Sequence, residues 1–101
     1  MTNLDSRPAE ILLVEDNEGD ALLTKTAFQE AKICNNISVA RDGDEALNYL
    51  YKRENFKDAK TPDLILLDLN IPKTDGQEVL EKIKRDENLK RIPVVVLPPK
   101  K

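Results

Sequence analysis

The chain has 101 residues, 16 Lys and Arg against 19 Asp and Glu for a formal net charge of −3, and 40% hydrophobic residues. That is one domain's worth of chain with enough apolar material for a core, and a mildly acidic balance without a basic run excludes nucleic-acid binding driven by charge. The sequence has no His and a single Cys, Cys34, which excludes Ser-His-Asp and Cys-His catalysis, His-ligated zinc and an intrachain disulfide, and makes a reducing, cytoplasmic setting the expectation.

Met1 to Glu10 is polar and contains Pro8, and the first apolar run, Ile11-Leu12-Leu13-Val14, is too short for a secretory signal or a membrane span. Residues 1–9 are expected to form a flexible N-terminus, 10–97 the domain, and 98–101 a tail. Three further apolar runs follow: Ile37-Ser38-Val39-Ala40, Leu64-Ile65-Leu66-Leu67 and Val94-Val95-Val96-Leu97. Each is short, rich in Ile, Leu or Val, and bounded by polar residues or Pro, as a buried strand should be. Helical periodicity fills the gaps. Leu23, Ala27 and Ala31, with Phe28 beside them, predict a first helix and its buried face. Ala46, Leu47, Leu50 and Tyr51 mark a second over 44–52, and Val79, Leu80 and Ile83 a third over 76–86. Asp75-Gly76 signals the turn into the third helix, and Asn55 to Pro62 is the longest polar connection.

Strand and helix thus alternate as βαβαβαβ, which implies a parallel sheet with helices on both faces and any ligand beyond the carboxyl ends of its strands. The first strand ends in Glu15-Asp16 and the third in Asp68, followed by Leu69-Asn70. One acidic residue at a strand end usually does no more than cap the next helix. Two such ends in one sheet favour a site. If the first and third strands are neighbours, three carboxylates converge and repel one another. A divalent cation such as Mg²⁺ is the simplest remedy, with Asp68 as a candidate nucleophile. A calcium loop starting at Asp16 is rejected, because Ala21 and Ala27 fall where it needs Gly and Glu.

The segments Ile11-Leu12-Leu13-Val14-Glu15-Asp16-Asn17, Arg41-Asp42-Gly43 with Glu45-Ala46, Leu64-Ile65-Leu66-Leu67-Asp68-Leu69-Asn70-Ile71-Pro72, Asp75-Gly76 and Ile92-Pro93 together resemble the receiver domain of two-component response regulators. The wording is most similar to stand-alone receivers, some of which serve phytochrome-type histidine kinases. The resemblance implies a flavodoxin-like, doubly wound α/β sheet. It also implies phosphoryl transfer to Asp68 from a phosphohistidine on a sensor kinase. Mg²⁺ would be bound by Asp16 and Asp68, the main-chain carbonyl of Asn70, and Glu15 through water. No nucleic acid or membrane partner is expected.

The family pattern continues past this point with a hydroxyl residue ending the fourth strand, then further elements that include a phosphate-contacting Lys. Here Pro98-Pro99-Lys100-Lys101 follow Leu97. The expectation is a receiver truncated after the fourth strand, whether naturally, by engineering or as part of a longer protein. The alternative to a working phosphoacceptor is a fragment that keeps the fold, forms homodimers through the exposed fourth strand and signals poorly.

Overall fold

The computed structural model describes residues 7–99. Their order is β1 (Ala9–Val14), α1 (Glu18–Glu30), β2 (Asn35–Ala40), α2 (Gly43–Leu50), a 3-10 turn (Glu54–Phe56), β3 (Leu64–Leu67), α3 (Gly76–Arg85) and β4 (Val94–Val96). All strand pairs are parallel and the sheet order is β2-β1-β3-β4. The alternation read from the sequence holds, and β1 and β3 are neighbours. The strand boundaries differ slightly. β1 begins at Ala9 and β2 at Asn35, because Ala9 pairs with Asn35 in the ladder. β4 ends at Val96, yet the Leu97 N–H still donates to the Leu67 carbonyl at 2.8 Å.

Side chains alternate across the strands and divide the core in two. Leu12, Val14, Ile65 and Leu67 pack with Ala46, Leu47 and Leu50 of α2 and Val79 and Ile83 of α3. Ile11, Leu13 and Leu66 pack with Ala21, and Phe28 is partly buried against them. On α1 the expected face holds only at Phe28. Leu23, Ala27 and Ala31 are exposed, and the inward residues are Ala21, Thr24 and Phe28, also at helical spacing. Leu22 and Leu23 are 64% and 68% exposed. Cys34 is likewise exposed. No helix of the described residues is long and apolar enough to cross a membrane.

Each helix starts on a side-chain cap that satisfies a free N–H of its first turn. Asn17 Oδ1 accepts from Asp20 N–H at 2.8 Å, Asp42 Oδ1 from Glu45 N–H at 2.7 Å, and Asp75 Oδ1 from Glu78 N–H at 2.9 Å. These caps set where the chain turns from strand into helix, at the end of the sheet where the acids lie.

Candidate functional site

The strand register creates the site. Val14 pairs with Leu67, so the next residue of each strand, Glu15 and Asp68, come side by side. The ladder continues through them: Glu15 N–H donates to the Ala40 carbonyl at 2.9 Å, and Asp68 N–H to the Val14 carbonyl at 3.1 Å. Both acids are buried, at 3% and 6% exposure, while Asp16 is exposed. One carboxylate oxygen from each of Glu15, Asp16 and Asp68 lies within 4.8 Å of the other two.

Main-chain donors orient two of the carboxylates. Asn17 N–H lies 3.2 Å from Glu15 Oε2, and Asn70 N–H lies 2.9 Å from Asp68 Oδ1. The chain leaves Asp68 in a tight loop that returns to it. Gly76 N–H donates to the Leu69 carbonyl at 3.1 Å, and a Cβ on Gly76 would stand 2.8 Å from the Asp68 carbonyl oxygen and 2.4 Å from Leu69 Cα. Only glycine allows this approach.

A depression of about 270 Å³ opens beside the acids, bordered by Asp16, Leu22 and Arg41 among others. Arg41 bridges to Glu18 at 3.1 Å, with both side chains mostly in solvent, so the pair adds little stability. A larger cavity of about 800 Å³ lies at the opposite strand ends, near Glu10, Lys60 and Asp63. Glu10 and Lys60 pair there at 3.9 Å, and Asp63 Oδ2 accepts the Glu10 N–H at 2.8 Å. Acids at that end are matched with donors rather than gathered with one another.

Three clustered carboxylates are hard oxygen donors. The set fits a divalent cation of the Mg²⁺ or Mn²⁺ class. All four residues singled out from the sequence, Glu15, Asp16, Asp68 and Asn70, fall at this end of the sheet. The sequence reading missed the partnership of Thr74 with Asp44, whose side chains hydrogen-bond across 30 residues of chain. No local pattern signals a contact of that range.

Comparison with known proteins gives a consistent result. The family model for the response regulator receiver domain matches residues 11–100. The response regulator Rcp1 of Synechocystis sp. is 43% identical over 97 residues, a match spanning 96% of this chain and 66% of the relative. Among solved structures, the phosphorylated cyanobacterial phytochrome response regulator RcpA superposes with a TM-score of 0.84 at 49% identity, over 89% of this chain and 64% of that one. The Mn²⁺-bound form of Rcp1 superposes with a TM-score of 0.85 at 45% identity, over 88% and 64%. The chain thus spans about two thirds of the length of these relatives.

Proposed function

Because the chain belongs to the response regulator receiver family, we propose that it is the phosphoacceptor domain of a two-component pathway, with Asp68 receiving the phosphoryl group from a phosphohistidine of a sensor histidine kinase. The observation that carries this reading is the gathering of the Glu15, Asp16 and Asp68 carboxylates within 4.8 Å at the ends of adjacent strands. An Asp68 oxygen attacks phosphorus. A P–O bond forms as the P–N bond breaks, and the imidazole leaves with the electron pair. The Asn70 N–H on Asp68 Oδ1 holds the carboxylate in one orientation for that attack. Mg²⁺ held by Asp16, Asp68, the Asn70 carbonyl and Glu15 would offset the charge on the transferring group. The domain acts on its own carboxylate and is a signalling module, not an enzyme with an outside substrate. A phytochrome-type kinase is the favoured donor, on the strength of relatives such as RcpA, and the cytoplasm the favoured setting.

Pro98 follows the end of β4 and offers neither a hydroxyl nor an N–H. Losing one donor to developing charge commonly costs about 10²–10³ in rate, so transfer here is slower than in a receiver with Thr or Ser at that position. Intact-mass measurement after incubation with acetyl phosphate and Mg²⁺ tests the reading. One phosphoryl group should be added to the parent and none to Asp68→Asn, and Pro98→Thr should accelerate the reaction. Phosphorylation of Asp68→Asn at the parent's rate would refute it.

A second reading concerns assembly. β4 is an outer strand of the described sheet, and Val95 is 49% exposed. An apolar outer strand is a template for pairing, so self-association of two chains through β4 is the expected behaviour. Light scattering should show a dimer that Val95→Lys dissociates, and a monomer at all concentrations would dismiss this mode.

A further inference from the structure

The loop that follows Asp68 is fastened to a helix that contributes none of the clustered acids. Gly43 N–H donates to the Pro72 carbonyl at 3.1 Å. Thr74 Oγ1 donates to Asp44 Oδ1 at 2.5 Å, and Thr74 N–H lies 3.4 Å from the same oxygen. Lys73 Nζ stands 3.5 Å from Asp42 Oδ2. These four contacts join consecutive residues of the loop, Pro72 to Thr74, to the cap and first two residues of α2.

Two features show that the contact is built rather than incidental. Gly43 is buried, and a Cβ there would stand 1.6 Å from the Thr74 carbonyl oxygen, so the two backbones touch where only glycine leaves room. Lys73 has a φ of 63°, a left-handed conformation that a non-glycine residue keeps only where its surroundings hold it. Pro72 and Lys73 are themselves exposed, so burial does not fix their path.

We propose that the N-terminus of α2 is a positioning clamp for the metal site, setting the path of residues 69–75 and with it the main-chain carbonyl of Asn70 relative to the Asp68 carboxylate. Gly43, Asp44 and Thr74 are its positioning residues. The inference rests on the reading that Asp68 and the Asn70 carbonyl bind the divalent cation. Small hard cations demand near-ideal ligand placement, so a loop that wanders by a fraction of an ångström binds them less well.

Calorimetric titration with Mn²⁺ tests the clamp on the parent, Asp68→Ala, Thr74→Val, Thr74→Ser and Gly43→Ala, with a metal-free melting curve for each. Thr74→Val keeps the shape but loses the hydroxyl. It should weaken Mn²⁺ binding about three- to tenfold, the loss of one ordinary hydrogen bond, while the metal-free melting temperature stays near the parent's. Thr74→Ser should restore the affinity. Gly43→Ala should weaken binding further, and if it does not fold, the Thr74 pair decides. Parent-like binding by Thr74→Val, or equally weak binding by Thr74→Ser, overturns the clamp while leaving the metal site standing. Equal binding by the parent and Asp68→Ala overturns the site itself and the clamp's role with it.

Discussion

The two faces of the sheet are packed to different depths. On one, α2 and α3 close over Leu12, Val14, Ile65 and Leu67, and Ile71, Leu89 and Ile92 join the same cluster. On the other, α1 contributes Ala21 and the partly buried Phe28 over Ile11, Leu13 and Leu66, and turns Leu22 and Leu23 outward. The chemistry follows the opposite rule. Glu15 continues the strand parity of Ile11 and Leu13, and Asp68 that of Leu66, so these two acids belong to the thinly covered face. The loop that carries Asn70 is tied to α2 on the thick face. Packing is thus concentrated on one side of the sheet, and the two buried carboxylates lie toward the other.

Core truncation should break this comparison most visibly if it is wrong. Ile83→Ala removes a 1% exposed side chain and should cost about 2–5 kcal/mol in denaturant unfolding. Leu23→Ala on α1 should change stability by no more than about 0.5 kcal/mol. Similar losses at the two positions would mean that the faces are equally packed in solution.

The helix caps sharpen the contrast at a smaller scale. Asp75→Ala and Asn17→Ala each delete one side-chain bond to a first-turn N–H, worth about 1 kcal/mol. On α3 the loss should appear in global unfolding. On α1 it should appear mainly as faster amide exchange in the first turn, because a thinly packed helix opens locally. Global loss from Asn17→Ala with unchanged local exchange would argue against the division.

The smallest effect is electrostatic. The Thr74 hydroxyl holds Asp44 below the ordinary aspartate value of 3.8; burial opposes it, and the Thr74 N–H and the charge of Lys73 add smaller lowering effects. A carboxylate depressed in the folded state favours folding above its unfolded value, and that contribution is lost as pH falls through the folded value. Thr74→Val should therefore move the Asp44 titration upward in an NMR pH series. An unmoved titration would show that the Thr74–Asp44 bond is absent in solution.

Much of this was legible in the sequence because the signals are local. Four apolar runs bounded by Pro and polar residues locate the strands, and Asp75-Gly76 marks the entry to α3. Glu15 and Asp68 come together as soon as β1 and β3 are neighbours. The α1 face was not legible, since Leu23-Ala27-Ala31 and Ala21-Thr24-Phe28 both fit a helical stripe and only packing chooses between them. Leu23 is more apolar than Thr24 beside it, so the sequence alone does not reveal that Leu23 faces solvent. The contact of α2 with the Asp68 loop escaped because its partners are 30 residues apart and its key residue, Gly43, acts through a missing side chain.

In the proposed site, the carboxylates joined by the register of β1 and β3 hold one divalent cation, with Asp68 as a direct ligand. Mn²⁺ titration of the parent, Asp68→Ala and Asp63→Ala tests it most directly, because Asp63 precedes the opposite end of β3 and serves as a charge-matched control. Asp68→Ala should weaken binding by at least the roughly 10–100-fold that loss of an outer partner of a metal ligand costs, and Asp63→Ala should bind as the parent does. Equal affinity in the parent and Asp68→Ala, or equal losses in the two variants, would contradict the account.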